Sequence, residues 1–360
     1  MRIHFLTVGI SELTGGYIYD GGLYRKLKAR YGDDVKLFDY AWFGNDYAFL
    51  KREFLQYGMN FRKHAAELLD CDYLFLNTSL YQKFLLFPRH LHKQSRCRII
   101  GINHHMDYMN YNDWTRGIRK ELLVSLLKFC DCVITPNPYT IECMKPFGLE
   151  GRARLLEAYL DKTVHANGRE KEKLICFVGT VEPRKGVDYG ILAFAEFHRT
   201  HPEYRFEIAG SFMDGCSDTD YCQSLLQLIY ELGNLDQVSF LGRIDEDQKR
   251  ELYERSQIFL FPSQLEGYGW VMVEAMSYGL PVVAFDNSAM PYTVNETNGE
   301  LVPNRDVHAM AQALSRLADD KVLYEQKSAG AAQTVAGLPD WDEIDREYED
   351  FFDQMEARTI

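Results

Sequence analysis

The sequence predicts an α/β protein made of two Rossmann-like domains, each with a doubly wound parallel sheet, that face a central cleft. Three observations carry this prediction. The chain has 360 residues, which is more than a single hydrophobic core usually supports. Short apolar runs alternate with longer helical patterns from end to end. A hydrophilic stretch, KTVHANGREKEK at 162–173, divides the runs into two series, so the domains are expected at 1–165 and 166–339.

The apolar runs are continuous rather than alternating, which is typical of strands buried on both faces of a parallel sheet. Those of the first domain are IHFLTV (3–8), VKLFDY (35–40), YLFLN (73–77), RIIGIN (98–103) and CVITPN (132–137). Those of the second domain are LICFVG (174–179), RFEIAG (205–210), VSFLG (238–242), IFLFPS (258–263) and PVVAFD (281–286). Such sheets bind ligands outside the carboxyl ends of their strands, so the ligand is expected in the cleft.

Composition and cysteine spacing exclude several classes of protein. Hydrophobic residues make up 46% and charged residues 26% of the chain, as in ordinary soluble proteins. No apolar run reaches the roughly 18 residues that a membrane span needs, and the first residues lead into a strand pattern rather than a cleavage site. The eight cysteines include no Cys-x-x-Cys pair, which argues against a zinc site and a disulfide framework. We expect a cytoplasmic protein with reduced thiols.

Charge differs between the two halves. Residues 1–165 carry 23 Lys and Arg against 18 Asp and Glu, whereas the remainder carries 17 against 35. No acidic residue lies between Asp72 and Asp107, and this interval combines the apolar segment FLLF (84–87) with five basic residues, Lys83, Arg89, Lys93, Arg96 and Arg98. Such a patch can face an anionic membrane surface or a phosphorylated acceptor, and a solvated helix face is the alternative. Attachment to the inner face of the membrane is one expectation, and a nucleic-acid partner is not expected.

Two glutamates flank a glycine-rich turn in SQLEGYGWVMVEAMSYGLP (263–281). The preceding run predicts a strand that ends near Pro262, and the following pattern predicts a helix from about Gly269 to Tyr278. The turn itself consists of Gly267, Tyr268, Gly269 and Trp270. Backbone N–H groups at a helix start lack intrahelical acceptors and carry the positive end of the helix dipole, so this turn predicts a phosphate site.

Glu266 and Glu274 are expected on either side of that phosphate. Glu274 falls about five residues into the helix, roughly 7.5 Å along its axis. Because a carboxylate accepts two hydroxyl hydrogen bonds, one glutamate can hold a sugar and the other a ribose across a diphosphate. The alternatives are that Glu266 caps the helix and that Glu274 is merely solvated. A second motif, FVGTVEPRKG, places Arg184 and Lys185 after another strand, where they can neutralise the same diphosphate or be exposed surface cations.

These motifs, with VSFLGRI and NGELVP in the same order and spacing, resemble the carboxyl-terminal domain of the family 4 retaining glycosyltransferases (glycosyl transferases group 1), which have the GT-B fold. The family's signature of two glutamates separated by seven residues is present as Glu266 and Glu274. The resemblance implies that Glu266 contacts the transferred sugar and Glu274 the ribose. It also implies that Arg184 and Lys185 bind the diphosphate and that the glycine-rich turn holds its oxygens.

The first domain resembles the family through weaker motifs. In TGGYIYDGG, Gly15 and Gly16 resemble the family's glycine turn near the phosphates, and INHHMDY ends a strand with His104 and His105. The resemblance implies that one of these histidines faces the donor sugar; His104 is favoured by its place after the strand, and His105 is kept as a candidate. WDEIDREYEDFF resembles the family's final helix, which returns to the first domain and is expected at about 340–360. The first domain is then the acceptor side and the second the nucleotide-sugar side.

Two departures from the family pattern leave the donor open. Tyr292 stands in SAMPYTV where the family usually has a glutamate. The EPRK segment leans toward members that use GDP-mannose, but Gly186 follows it in place of the asparagine common there. UDP- and GDP-sugars are therefore both expected as candidate donors.

The resemblance implies retaining transfer of a hexosyl group to a hydroxyl of a glycan or lipid-linked acceptor, in bacterial-type cell-surface polysaccharide or glycolipid synthesis. Cationic side chains can stabilise the leaving diphosphate, so no cofactor and no metal are expected, and DCD (70–72) is interpreted as a turn. The expected catalytic residues are His104, Arg184, Lys185 and Glu266. The expected donor-binding residues are Gly15, Gly16, His105, Gly267, Tyr268, Gly269, Trp270 and Glu274. The alternatives are a nucleotide-sugar epimerase or sugar phosphorylase of the same fold and a catalytically silent, glycan-binding partner subunit.

Overall fold

The computed structural model describes residues 1–8, 10, 15–38, 64–82, 95–110, 114–159, 163–165, 170–211, 219–233 and 236–360. The chain folds as two compact units. One comprises Met1–Tyr159 together with Asp340–Ile360, and the other comprises Leu160–Pro339. Each unit contains a six-stranded parallel sheet with helices, so the predicted α/β class is confirmed for both halves of the chain.

The sheet of the first unit has the strand order β2-β1-β3-β4-β5-β6. Its strands are β1 Ile3–Leu6, β2 Val35–Phe38, β3 Tyr73–Asn77, β4 Arg98–Ile102, β5 Cys132–Thr135 and β6 Ala153–Leu155. Every residue of β1, β3 and β5 is buried, as expected of parallel strands with both faces covered. The five strands predicted for this half are confirmed, and the direction in which the sheet grows reverses between β1 and β3.

The sheet of the second unit has the strand order β12-β11-β10-β7-β8-β9. Its strands are β7 Leu174–Val178, β8 Arg205–Ala209, β9 Val238–Gly242, β10 Ile258–Phe261, β11 Val282–Phe285 and β12 Gly299–Val302. The chain builds outward from β7 to β9 and then returns to add β10 on the other side of β7, which is the Rossmann order. The switch point therefore lies between β7 and β10, where sheets of this kind bind their ligands.

Helices connect these strands. In chain order they are α1 Gly15–Tyr31, α2 Arg116–Phe129, α3 Pro138–Met144, α4 Val187–His198, α5 Thr219–Leu232, α6 Glu246–Arg255, α7 Trp270–Ser277, α8 Val307–Asp319, α9 Lys321–Ala336 and α10 Trp341–Glu356. Asp245 and Asp340 begin α6 and α10 through reciprocal capping boxes, which satisfy backbone N–H groups at the helix starts. Within the described residues, no helix is long and apolar enough to cross a membrane.

The final helix, α10, packs on the first unit. The hydroxyl of Tyr73, on β3, donates to the backbone oxygen of Met355 at 2.7 Å. Phe352 is fully buried, and Arg30 on α1 pairs with Asp353 at 2.5 Å. Apolar burial and charge pairing therefore both attach the last residues to the first sheet.

Candidate functional site

Two loops meet at the switch point of the second sheet, one following β7 and the other following β10. The backbone N–H of Gln264 donates to the backbone oxygen of Arg184 at 2.8 Å. Gly186 has φ 64° directly before α4, and a Cβ on it would lie 2.1 Å from the backbone oxygen of Pro262. Only glycine allows both this left-handed conformation and this close approach.

Replacing Gly186 with Ala is expected to destabilise the second unit. Gly242→Ala is a matched control, because Gly242 has φ 68° but open space where its Cβ would lie. Both variants carry backbone strain of about 1–3 kcal/mol, and Gly186→Ala adds an overpacking cost of about 1–3 kcal/mol. The midpoint of urea unfolding should therefore fall further for Gly186→Ala. Equal midpoints would contradict a close approach of the two loops.

Glu266 is buried at this switch point and accepts three side-chain hydrogen bonds on one oxygen. Its Oε1 lies 2.7 Å from Lys185 Nζ, 3.3 Å from Arg184 Nη1 and 2.6 Å from Ser263 Oγ. Arg184 also donates to Glu182 Oε1 at 2.6 Å. Among the described residues, none donates to the other carboxylate oxygen of Glu266, Oε2. The group therefore leaves one carboxylate oxygen for a ligand.

The charges in this group shift two pKa values. Burial raises the pKa of Glu266, but the positive charges of Lys185 and Arg184 outweigh burial and hold this pKa below its ordinary value. Burial lowers the pKa of Lys185, and the attraction of Glu266 does not restore it, since Arg184 repels the ammonium. The two shifts are consistent with one carboxylate that is shared between two cations. This sharing stabilises the charged form of Glu266 more than the charged form of Lys185. A bound anion would give both cations a further partner.

The helix-cap and surface-cation alternatives do not describe this group. The N-cap of α7 is Gly269, and no side chain caps it, so Glu266 is not the helix cap. The side chain of Lys185 is 13% exposed and that of Arg184 is 27% exposed, so these cations are not solvated surface residues. The structure instead brings three of the predicted site residues into contact.

The predicted glycine-rich turn leads into α7. Gly269 has φ 84°, and a Cβ on it would lie 2.5 Å from the terminal methyl carbon of Met272. The half-buried ring of Tyr268 lies 5.7 Å from that of Trp270, between centroids. The backbone N–H groups of Gly267, Gly269 and Trp270 have no acceptor in the part of the chain that the structure describes. Unpaired N–H groups at a helix start are suited to bind an anion.

Glu274 lies on α7 but contacts a different set of side chains. Its Oε2 is 3.1 Å from Lys249 Nζ and 3.3 Å from Tyr253 Oη, both on α6. Its side chain is 36% exposed. These contacts fix its position, so Glu274 is not merely solvated. They do not join it to the group around Glu266.

The switch point of the first sheet holds a second polar group, centred on Asp20 of α1. Asp20 is fully buried, and its Oδ1 lies 2.9 Å from His104 Nε2. Its Oδ2 accepts hydrogen bonds from Thr7 Oγ1 and, at 2.8 Å, from Asn77 Nδ2. Thr7 follows β1, Asn77 ends β3 and His104 follows β4, three strands that lie side by side. Asp20 therefore connects the carboxyl ends of three neighbouring strands.

The other predicted residues of the first unit lie around this group. Gly15 begins α1. Gly16 faces the ring of His104, because a Cβ on Gly16 would lie 3.5 Å from His104 Cδ2. His105 is half-buried. The structure therefore brings Gly16 and His104 together, and His104 is the histidine that contacts Asp20.

Sequence reasoning missed Asp20, Ser263 and Lys249. An acidic residue between two glycine pairs in TGGYIYDGG, on a helix that covers a sheet, is a signal that could have identified Asp20, since buried carboxylates are rare unless paired. Ser263 stands directly after a predicted strand, where ligand-binding residues of α/β sheets occur. No sequence pattern identifies Lys249 as a site residue, because its pairing with Glu274 depends on how α6 packs against α7.

Most of the basic segment predicted to face a membrane lies outside the described residues. Arg96 is exposed. The guanidinium of Arg98 donates to the backbone oxygen of Arg358 at 3.1 Å, so this cation binds the end of the chain. The members outside the described residues are Lys83, residues 84–87, Arg89 and Lys93.

A known protein family matches the second unit. Residues 161–334 match the family model described as glycosyl transferases group 1. This segment is therefore similar to the group 1 glycosyltransferases. An uncharacterised glycosyltransferase of Methanocaldococcus jannaschii is 31% identical over 180 residues, which are 50% of this chain and 44% of that relative. The match thus spans less than half the length of this curated relative.

Solved structures share the fold of the whole chain. Sucrose-phosphate synthase from Thermosynechococcus elongatus superposes with a TM-score of 0.80 at 20% identity, covering 99% of both chains. The Anabaena protein HepE, solved in complex with UDP and glucose, gives a TM-score of 0.75 at 16% identity and covers 99% of this chain and 100% of that chain. At these identities the likeness establishes the fold alone. The predicted GT-B fold is confirmed.

Proposed function

We propose that this protein is a family 4 retaining glycosyltransferase that moves a hexosyl group from a UDP- or GDP-sugar to an acceptor hydroxyl. One observation carries the proposal. Arg184, Lys185 and Glu266 form a buried charged group at the switch point of the unit that is similar to the group 1 glycosyltransferases, and Rossmann-like sheets bind nucleotides at such points. The similar fold of HepE, whose solved structure contains UDP and glucose, supports a nucleotide-sugar donor.

In this proposal, the donor binds to side chains and backbone N–H groups that already have fixed positions before the donor binds. Lys185 and Arg184 bind the diphosphate together with the N–H groups at the start of α7. Glu266 keeps its bonds through Oε1 and accepts a hydrogen bond from a hydroxyl of the transferred sugar on Oε2. Glu274, fixed by Lys249, accepts hydrogen bonds from the ribose. The assignments for Glu266 and for the start of α7 follow from the carboxylate oxygen and the N–H groups that the described residues leave for a ligand.

The reaction breaks the bond between the anomeric carbon and the diphosphate. The acceptor oxygen bonds to the same face of that carbon, and the acceptor proton passes to the leaving phosphate oxygen. Negative charge grows on the diphosphate, so Lys185 and Arg184 stabilise the transition state more than the ground state. Glu266 positions the sugar and does not attack it. Since two cations supply the charge at the diphosphate, we propose that neither a cofactor nor a metal is required.

The first unit supplies the acceptor side in this proposal, with His104 directed at the donor sugar and Gly15 and Gly16 near its phosphates. The acceptor is a glycan or a lipid-linked sugar of bacterial-type cell-surface polysaccharide or glycolipid synthesis. The acid-free basic segment at 73–106 supports attachment to the anionic, inner face of the membrane. Binding to anionic vesicles that weakens with salt would support this attachment, and vesicle binding that ignores lipid charge would favour a soluble acceptor.

The proposal is tested by offering the protein UDP- and GDP-sugars with and without a mixture of glycan and lipid-linked acceptors, in excess chelator. Nucleotide release that depends on an acceptor, and a product with the anomeric configuration of the donor in its proton NMR spectrum, are expected. Free sugar phosphate or an epimerised donor formed without an acceptor would identify a phosphorylase or an epimerase instead. Binding of glycans without any turnover would identify a silent partner subunit. A requirement for added magnesium or manganese would contradict the role given to the cations.

The lowered pKa of Lys185 predicts that diphosphate affinity declines at alkaline pH. Burial disfavours the ammonium of Lys185 in the free protein, whereas a bound diphosphate favours it. Binding therefore takes up a proton once the pH exceeds the lowered pKa, and affinity falls as the pH rises from there toward the ordinary value of 10.5. Calorimetric titration with UDP and GDP from neutral pH upward measures this decline.

Lys185→Arg provides the control, because a guanidinium keeps its charge throughout this range. Titration of the nucleotide base is common to both proteins and cancels in the comparison. The decline should be shallower in Lys185→Arg than in the wild type. Parallel declines would show that Lys185 does not carry the pH dependence.

A further inference from the structure

The hydrogen bonds around Asp20 orient the ring of His104, and the proposed donor site of the second unit gives no reason for this orientation. Asp20 is fully buried, and the two oxygens of its carboxylate face different partners. Oδ2 accepts from Thr7 Oγ1 and Asn77 Nδ2, whereas Oδ1 has one partner among the residues that the structure describes, His104 Nε2 at 2.9 Å. A carboxylate at such a depth is costly unless donors surround it. Three donors meet that need.

This arrangement determines which ring nitrogen of His104 carries the proton. An ionised carboxylate can only accept, so the nitrogen that faces it must donate. In the neutral ring the proton is then on Nε2, and Nδ1 presents a lone pair. Within the described residues, no group donates to or accepts from Nδ1. The side chain of His104 is 14% exposed, which leaves this nitrogen to a ligand.

Other contacts fix the plane of the ring. Tyr19 packs edge-on against it, with ring centroids 5.4 Å apart and planes at 88°. Gly16 lies against its Cδ2 side, and the backbone oxygen of His104 accepts from Thr140 Oγ1 at 3.2 Å. The backbone of His104 is therefore held by Thr140, and ring rotation that would exchange Nε2 for Nδ1 is restricted by Tyr19, Gly16 and the bond to Asp20.

We propose that Asp20 is a positioning residue that holds His104 in the Nε2–H tautomer, so that Nδ1 accepts a hydrogen bond from a hydroxyl of the sugar substrate. The sugar part of this inference rests on the proposed function. The tautomer part rests only on the contacts within the first unit. A hydroxyl is the ligand that matches a neutral ring nitrogen with a lone pair, because it can donate to that nitrogen.

Asp20→Asn tests the inference with almost no change in side-chain volume. Thr7 and Asn77 together present two donors to one side of residue 20 and His104 presents one to the other. The amide oxygen of Asn is expected to face the two donors, which turns its NH₂ group toward His104 Nε2. Nε2 must then accept, and the proton moves to Nδ1. A nitrogen that accepted from the sugar hydroxyl becomes a donor.

The measurement is a long-range ¹H–¹⁵N correlation of the histidine rings in the full chain at neutral pH. We expect the Nε2–H tautomer for His104 in the wild type and the Nδ1–H tautomer in Asp20→Asn. The kcat for sugar transfer should fall about tenfold or more, which corresponds to one lost hydrogen bond. The affinity for UDP or GDP should not change, since Asp20 has no part in diphosphate binding.

Asp131→Asn is the matched control, because Asp131 also belongs to the first unit and accepts from the backbone N–H of Ile99. This variant should change neither the tautomer of His104 nor kcat.

Two outcomes would overturn the inference. One is the Nδ1–H tautomer or a rotating ring in the wild type, which needs no variant and is decisive even if Asp20→Asn fails to fold. The other is an unchanged kcat in a folded Asp20→Asn protein whose tautomer has reversed. If the wild type transfers no sugar from any donor, the proposed function fails, and the tautomers of the two proteins still decide whether Asp20 positions His104.

Discussion

Replacing both Arg184 and Lys185 with Ala is expected to lower the affinity for UDP or GDP by about 100-fold or more, while the affinity for uridine or guanosine stays the same. Each cation makes a charge-assisted contact to the diphosphate that is worth about 1.5–3 kcal/mol. A nucleoside lacks the diphosphate and reports only the remaining contacts. Isothermal titration with each nucleotide and its nucleoside measures the two affinities separately.

The double variant also leaves Glu266 buried without its cations, which is costly. A loss of folding would mimic a loss of binding, so circular dichroism and the unchanged nucleoside affinity must accompany the result. Arg250 and Lys321 give a matched control, because both are exposed cations of the second unit and removal of both should leave diphosphate affinity unchanged. If the Arg184 and Lys185 double variant binds UDP and GDP as the wild type does, these cations serve only to hold Glu266.

The fold was predictable because continuous apolar runs indicate strands of a parallel sheet, and most of the strands found here are buried on both faces. All ten predicted strands are present. β6, at Ala153–Leu155, has no such run, since two of its three residues are exposed at the edge of the sheet. The strand order could not be read from the runs themselves. It follows from packing between elements, and the switch point between β7 and β10 became visible only with the structure.

The candidate site was predictable where residues lie next to each other in the sequence or follow a strand end. Arg184, Lys185 and Glu266 follow β7 and β10, and parallel strands bring their carboxyl ends to one edge. The partners Ser263 and Glu182 are close in sequence to these residues, but the sequence does not show which oxygen each one contacts. Asp20 and Lys249 were not predicted. The contacts of Asp20 join a helix to the ends of three strands, that of Lys249 joins two helices, and no local pattern specifies how these elements are placed.

Glu266→Gln is expected to separate binding from transfer. An amide at this position can keep its oxygen toward Lys185, Arg184 and Ser263, but it loses the charge that those cations share. Released from that charge, Lys185 and Arg184 should bind a diphosphate more tightly than in the wild type. The NH₂ group takes the place of Oε2, where it can no longer accept a hydrogen bond from the sugar hydroxyl. We expect kcat for transfer to fall about 100-fold, the upper range for a lost charged hydrogen bond.

Glu274→Gln is the matched control for the loss of charge, since Glu274 lies on α7 and pairs with Lys249 away from the group around Glu266. It should weaken binding of the nucleoside portion and leave kcat closer to that of the wild type. Single-turnover rates and affinities for UDP and GDP, measured for both variants, distinguish a role in sugar transfer from a role in nucleoside binding. A Glu266→Gln protein that binds the diphosphate more weakly and transfers sugar at the wild-type rate would mean that Glu266 organises the cations and does not touch the sugar. The opposite changes expected here, tighter diphosphate binding with slower transfer, arise only if one oxygen of Glu266 holds the cations and the other holds the substrate.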